Sequence, residues 1–399
     1  MKRRGAGVVL AVAVAVLPVM GGAALAAPAV LPGADEPGAT LLPPLPVRLG
    51  EDSACTGASD RTATGAAWSQ TALGLSRTQR ISRGAGVTVA VVDSGVASEV
   101  PSLEGRVTHV GDADEDCVGH GTFAAGLIAA APRKGSGITG IAPEAEILAL
   151  RGTDDRGVPS ADRVADGIRT AADRGAQVIY VGQVLPIGSR ITAAVAHATR
   201  RDALVIAPAA PDAVPREELG PDGEMPEGPY WPAASPGALA VVDFGPGGVR
   251  QKSAPPAYRP ALSAPGSEMV SVAPEGSGHY IGSGASLAAA AVAGAAALVR
   301  AYHPELTAPE VTRRLLDTAY ASDIPRLDPY ASLSLLQDRA TSHAGTDSPA
   351  DMPPAPNPAP RTRSLTIAAT ALAAVLLLAA LAAVIPRGRT RNWRPPTTG

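Results

Sequence analysis

The sequence predicts an α/β fold, a mostly parallel β-sheet with helices on both faces, followed towards the C-terminus by a single transmembrane helix. Three observations lead there. Short apolar runs recur through the middle of the chain, at Val87 to Val92, Ala145 to Leu150, Gln177 to Val181, Leu204 to Ala207 and Leu239 to Asp243. Such runs suit strands buried on both sides in a parallel sheet. Segments of helical spacing separate several of them, the alternation that produces a layered α/β structure. Far downstream, Leu365 to Ile385 is an uncharged run about long enough to cross a bilayer as a helix.

Taken in order, the chain begins with Lys2, Arg3 and Arg4, then an apolar run from Val8 to Val19, then Ala24-Leu25-Ala26. A basic start, an apolar middle and a small-residue cleavage site read as a signal peptide over 1–26. An N-terminal extension follows over 27–83, and the main domain is expected over 84–335. Its helices start near His120, with Phe123, Leu127 and Ile128 on one face, and after Ser160-Ala161-Asp162, with Val164, Ile168 and Ala172 at helical spacing. Others cover Ile191 to Thr199 and the nearly all-apolar stretch Leu287 to Val299, which belongs in the core. Thr307-Ala308-Pro309-Glu310 is a capping signature for a helix from Pro309 to Thr318. The stretch from Pro208 to Pro232 is acidic and rich in Pro and Gly, so it reads as a surface loop.

A Pro- and Ala-rich stalk is expected over 336–363, the transmembrane helix over 364–386 and a basic tail over 387–399. Arg361 and Arg363 precede the apolar run, while Arg387, Arg389, Arg391 and Arg394 follow it. The denser cationic flank belongs in the cytoplasm, which places the main domain outside, in agreement with the signal peptide.

At 399 residues and 46% apolar composition, the chain can bury one sizeable core. A formal charge of −3 gives no support for nucleic-acid binding. No metal-spacing cluster is visible, because the two cysteines are far apart and His109, His197, His279 and His303 stand singly. No cofactor or metal is therefore expected. The acidic group Asp112, Asp114, Glu115 and Asp116 reads as a solvated loop.

The chemistry is carried by three segments: Val91-Val92-Asp93-Ser94-Gly95, Gly119-His120-Gly121-Thr122 and Gly282-Ser283-Gly284-Ala285-Ser286. Taken singly, Asp93 could cap a turn, His120 could be a satisfied buried histidine and Ser286 could cap a helix. Together they stand in the order Asp, His, Ser, one of the chain orders in which a nucleophilic triad occurs. A serine hydroxyl needs an imidazole to take its proton, and the imidazole needs a carboxylate to orient it.

These segments resemble the subtilisin-type serine proteases, over about Gly84 to Ala319. Gly140-Ile141-Ala142-Pro143 and Ala264-Pro265-Gly266 also sit where that family carries them. With Trp68-Ser69-Gln70-Thr71-Ala72-Leu73-Gly74 ahead of the domain and an anchor behind it, the chain is similar to mycosins, the proteases associated with type VII secretion. The resemblance implies a subtilisin-like fold and a triad of Asp93, His120 and Ser286. It also implies a protein or peptide substrate, attachment to the membrane through 365–385 and a type VII secretion complex as partner.

One departure bears on activity. The family carries Ala-Gly-Asn after an apolar strand, and the asparagine helps bind the oxyanion. Here the strand runs into Pro208-Ala209-Ala210-Pro211-Asp212. Proline cannot donate, and an ionised Asp212 would repel the charge. Losing one such donor costs about 100-fold to 1000-fold in turnover. A backbone N–H at Ser286 could still supply part of the oxyanion site, and a protonated Asp212 or Gln183 the rest, so Asp212, Gln183 and Gly284 are the candidates for the oxyanion site and substrate groove. Export puts Cys55 and Cys117 in an oxidising environment where pairing is expected, as in mycosins, the alternative being two free thiols.

The functional expectation is thus a membrane-anchored, extracytoplasmic serine endopeptidase linked to type VII secretion. The alternative is a catalytically impaired, protease-like scaffold that stabilises the secretion membrane complex.

Overall fold

In the computed structural model, residues 41–336 and 359–390 are described, apart from 187, 215–218, 222–224 and 227. The expected signal peptide lies outside the described residues, as do most of the stalk and of the basic tail. In chain order the elements are α1 (Trp68–Ala72), α2 (Leu75–Thr78), β1 (Thr88–Asp93), β2 (Val107–His109), α3 (His120–Ala129), β3 (Glu146–Arg151), α4 (Ala161–Asp173), β4 (Val178–Val181), α5 (Ser189–Arg200) and β5 (Leu204–Pro208). There follow β6 (Ala238–Phe244), β7 (Leu262–Pro265), β8 (Met269–Val272), β9 (His279–Gly282), α6 (Ala285–Tyr302), α7 (Ala308–Asp317), α8 (Pro329–Ser334) and α9 (Ala359–Thr390).

Seven strands form one sheet in the order β2-β3-β1-β4-β5-β6-β7, and every pairing in it is parallel. Alternation of side chains along each strand divides the interior in two. Val89, Val91, Tyr180, Leu204, Ile206 and Val241 turn to the face covered by α3 and α6. Ala90, Val92, Ile179, Val181, Val205 and Ala207 turn to the face covered by α4 and α5. The apolar runs of the sequence are these strands, shifted by a residue or so at their ends. β2 and β7 are short edge strands, and β8 and β9 form a separate antiparallel pair.

Helix α6 is buried from Ala285 to Arg300. Its alanines let it lie close against the sheet and against α3. Helix α7 starts at the expected capping box: Thr307 N–H donates to Glu310 Oε2 at 2.8 Å, and Pro309 occupies the first turn.

The strand order reverses at β1. From β1 the chain builds β2 and β3 on one side and then crosses to β4 on the other. Ligand sites of open parallel sheets form at the carboxyl ends of the strands where this reversal occurs, and Asp93 is the last residue of β1.

The extension from residue 41 onward lies against the domain. Leu45 N–H donates to Ile281 O at 2.8 Å, and Ile281 N–H donates to Pro43 O at 3.0 Å, which adds a short parallel bridge to β9. Further on, Cys55 is bonded to Cys117 across a sequence separation of 62, and Thr56 N–H donates to Cys117 O at 2.8 Å.

Helix α9 belongs to a separate unit that begins at Gln337. Leu365–Gly388 within it is 24 residues long, with mean hydropathy 2.6 and none of it buried, so it is long and apolar enough to span a membrane. Helix α6, with 18 residues and a mean hydropathy of 1.5, is also long and apolar enough, but it is 89% buried, which makes it a core helix.

Candidate active site

Each triad residue is placed by a different element. Asp93 ends β1, His120 opens α3, and Ser286 is the second residue of α6, after the N-cap Gly284. His120 Nδ1 lies 2.9 Å from both Asp93 oxygens, and His120 Nε2 lies 3.1 Å from Ser286 Oγ. All three side chains are buried. The relay that the separate segments suggested is therefore closed in space.

Asp93 is fully enclosed, and a buried carboxylate is tolerable only when donors surround it. Ser94 N–H donates to Oδ1 at 2.7 Å, Tyr180 OH donates to Oδ2 at 3.3 Å and Gln183 Nε2 donates to Oδ1 at 3.3 Å. Gln183, a candidate for the oxyanion site, thus has its amide on the back of the triad. Gly182 passes so close that a Cβ there would overlap both Asp93 Oδ2 and the Tyr180 hydroxyl.

Burial by itself disfavours the His120 imidazolium. The Asp93 charge, a hydrogen bond to Asp212, the bond to Asp93 and the Asp212 charge together outweigh it and hold the ring well above its ordinary value. Burial and the charges of Asp93 and Asp212 push the Tyr180 hydroxyl in the same upward direction, so it stays neutral and donating.

Asp212 comes to the nucleophile itself. Its Oδ1 accepts the Ser286 backbone N–H at 2.9 Å, and its Oδ2 accepts the Ser286 hydroxyl. Oδ2 also lies 3.4 Å from His120 Nε2, with the Asp212 side chain only 5% exposed. Gly284 makes room for it, since a Cβ at that position would overlap the carboxylate. The Gly284 N–H is occupied, donating to Gly266 O at 2.8 Å.

Asp116 corrects the reading of its acidic group as a solvated loop. Asp112 and Glu115 are exposed, but Asp116 is buried. It accepts Gly119 N–H at 2.8 Å, and Thr122 N–H at 2.8 Å and the Thr122 hydroxyl at 2.6 Å. It therefore serves the unpaired N–H groups at the start of α3. The signal for this was present in the sequence: an aspartate shortly before a helix start, followed by a threonine in the first turn.

Val47 and Arg48 of the extension line a cavity together with His120, Gln183 and Asp212. Among the described residues no group of three or more His, Cys, Asp or Glu side chains is arranged to hold a metal ion.

The sequence pattern of the subtilase family matches residues 84–349, the stretch that contains the whole relay. The chain belongs to the subtilase family. It is 32% identical over 284 residues to mycosin-4 of Mycobacterium tuberculosis (strain ATCC 25618 / H37Rv), an alignment that covers 62% of each chain, so this subtilase spans less than two thirds of that relative's length. Its structure is similar to that of the MycP3 protease from the type VII (ESX-3) secretion system, with a TM-score of 0.61 and 29% identity over 74% of this chain and 98% of that one. It is also similar to a chain of an intact ESX-5 inner membrane complex, with a TM-score of 0.63 and 26% identity over 87% of this chain and 96% of that one.

Proposed function

We propose that this subtilase is a membrane-anchored, extracytoplasmic serine endopeptidase that works with a type VII secretion system on protein or peptide substrates. The observation that carries the reading is the relay from Asp93 through His120 to Ser286, with links of 2.9 and 3.1 Å. Ser286 Oγ adds to the scissile carbonyl carbon while its proton passes to His120 Nε2. The carbonyl π pair becomes the oxyanion, then re-forms the double bond as the C–N bond breaks. His120 delivers its proton to the departing amine. Water repeats the sequence on the acyl-enzyme, releasing a carboxylic acid and restoring the serine. Asp93 accepts the Nδ1–H, fixes the tautomer and stabilises the transient imidazolium. The Ser286 N–H at the N-terminal end of α6, which meets Asp212 in this structure, is the backbone donor for the developing negative charge.

The domain organisation that accompanies this reading is a removed signal peptide over 1–26, an N-terminal extension over 27–83, a catalytic domain over 84–335, a stalk over 336–363, a membrane helix over 364–386 and a basic cytoplasmic tail over 387–399. The similarity to the MycP3 protease of an ESX-3 system and to a chain of an ESX-5 complex supports the link to type VII secretion. The test is labelling of the detergent-solubilised full chain with a fluorophosphonate probe, from acid to alkaline pH. Label on the wild type and none on Ser286→Ala is the expected result. A folded wild type that stays unlabelled throughout contradicts the reading.

A second reading, a protease-like scaffold for the secretion complex, is favoured by the Asp212 carboxylate lying on the nucleophile. Secretion in cells carrying Ser286→Ala separates the two. Normal secretion there, with loss in a full deletion, supports the scaffold, and normal secretion in the deletion rejects it.

A further inference from the structure

Asp212 touches the nucleophile, yet the triad has no use for it. Its carboxylate meets the Ser286 N–H at 2.9 Å, the Ser286 hydroxyl and, at 3.4 Å, His120 Nε2. An attacked carbonyl must meet the same groups: the nucleophilic oxygen, the backbone donor for the oxyanion and the proton carrier. An ionised carboxylate in that place resembles a bound product, with one oxygen on the donor and the other beside the base. Once protonated, the same group has an O–H to give. A neutral carboxylic acid can then offer an oxyanion what an amide would offer.

We propose that Asp212 is the oxyanion donor of this site when it carries a proton and its plug when it does not, so that hydrolysis proceeds only while Asp212 and His120 hold one proton between them and that proton sits on Asp212. The inference rests on the protease reading and adds to it a control by pH.

On this proposal Asp212 and His120, 3.4 Å apart, share their protons as a pair. With two protons, His120 is an imidazolium and cannot take the proton of Ser286. With none, the base is free, but an ionised Asp212 fills the seat of the carbonyl and repels the oxyanion. With one, the pair divides between imidazolium facing carboxylate, which is inert, and neutral imidazole beside carboxylic acid, which works. In the working form the Ser286 proton goes to His120 and on to the leaving amine, while Asp212 keeps its own. Rate against pH is then a bell.

Among the described residues, the other titratable groups around Asp212 are few. Asp93 lies on the Nδ1 side of His120, at 2.9 Å, and Tyr180, bonded to Asp93 at 3.3 Å, feels the Asp212 charge. Arg48 of the extension lines the same cavity. Asp243 and Arg250 line the adjoining cavity beyond Gly284, and they are paired with each other at 2.8 Å.

The experiment measures casein hydrolysis and fluorophosphonate labelling by the full chain in detergent, from acid to alkaline pH, for wild type, Asp212→Asn and Asp212→Ala. Wild type should give a bell that falls on the alkaline side. Asp212→Asn keeps an amide donor at every pH, so its alkaline limb should vanish and its rate there should exceed wild type by about 100-fold to 1000-fold. Asp212→Ala should also lose the limb but remain slow. A folded Asn variant no faster than wild type at alkaline pH overturns the inference, as does a wild type that keeps its full rate there. Should the Asn variant fail to fold, the wild-type profile decides by itself. If the Asn variant is active but retains the alkaline limb, only this inference falls. If neither protein is labelled or hydrolyses casein at any pH, the protease reading falls and takes this one with it.

Discussion

Asp116 holds the first turn of the histidine helix through Thr122, accepting its backbone N–H at 2.8 Å and its hydroxyl at 2.6 Å. One buried carboxylate thereby joins the loop that carries Cys117 to the helix that carries His120. Asp116→Ala leaves the Gly119 and Thr122 N–H groups without a partner, and each such loss costs about 1 to 3 kcal/mol. Urea unfolding should show a drop of at least that size.

The same residue carries a pH dependence. Burial pushes the Asp116 carboxyl up, and the bonds from Thr122, Ser94 and Gly119 offset only part of the rise. A folded value above the unfolded one means that the folded state binds the proton more tightly. This contribution to stability is present below the usual aspartate range and is lost as pH rises through the raised value. The stability of wild type relative to Asp116→Asn should therefore decline with pH across that window, measured as paired urea midpoints. A difference that stays flat would contradict the assignment.

The bridge between Cys55 and Cys117 closes a loop of 62 residues in the unfolded chain. In the chain-entropy description, a loop of that length is worth about 4 kcal/mol. The double variant Cys55→Ser, Cys117→Ser should lose stability of that order in urea unfolding, and reductant added to wild type should reproduce the loss.

Gly182 is the wall behind Asp93. In Gly182→Ala the new methyl group would overlap the Asp93 carboxylate and the Tyr180 hydroxyl, so the carboxylate has to move relative to the His120 ring. A displacement of about 1 Å in such a constellation costs on the order of 100-fold. The kcat for casein hydrolysis should fall by that factor at a pH where the variant is folded. Undiminished kcat would mean that the ring does not depend on Asp93 for its position.

Asp93→Asn preserves the size of the group and removes its charge. His120 loses the largest influence that favours its imidazolium, and the tautomer is no longer fixed, an effect that costs about 10,000-fold in kcat where it has been dissected. The imidazole titration, followed by NMR, should move down. An unmoved titration would deny that Asp93 governs the ring.

The strands were legible because β1, β4 and β5 are buried on both faces, which imposes continuous apolar runs whatever the tertiary detail. Edge strands β2 and β7 were not legible, since three or four residues are too few to leave a periodic signature. The triad was readable from order and flanking glycines. Asp116 was misread because charge in a loop implies solvent unless a local donor set is recognised. Gln183 and Asp212 were both candidates for the oxyanion, and nothing in their spacing distinguished the one that lies against Asp93 from the one that lies against Ser286.

From its residues in order, the chain determined the periods of its strands and helices, the apolar stretch able to cross a membrane and the three side chains that can form a relay. These follow from local chemistry, because burial, capping and span length act over a few consecutive residues. Only the tertiary structure decided that Asp116 is enclosed beneath α3 and that Asp212 seats its carboxylate on Ser286, residues 74 positions apart in the chain. Such placements depend on how the sheet reverses direction at β1 and on which loop returns to the open end of α6. The environment of a carboxylate is a property of its distant neighbours, and its charge and its role depend on that environment.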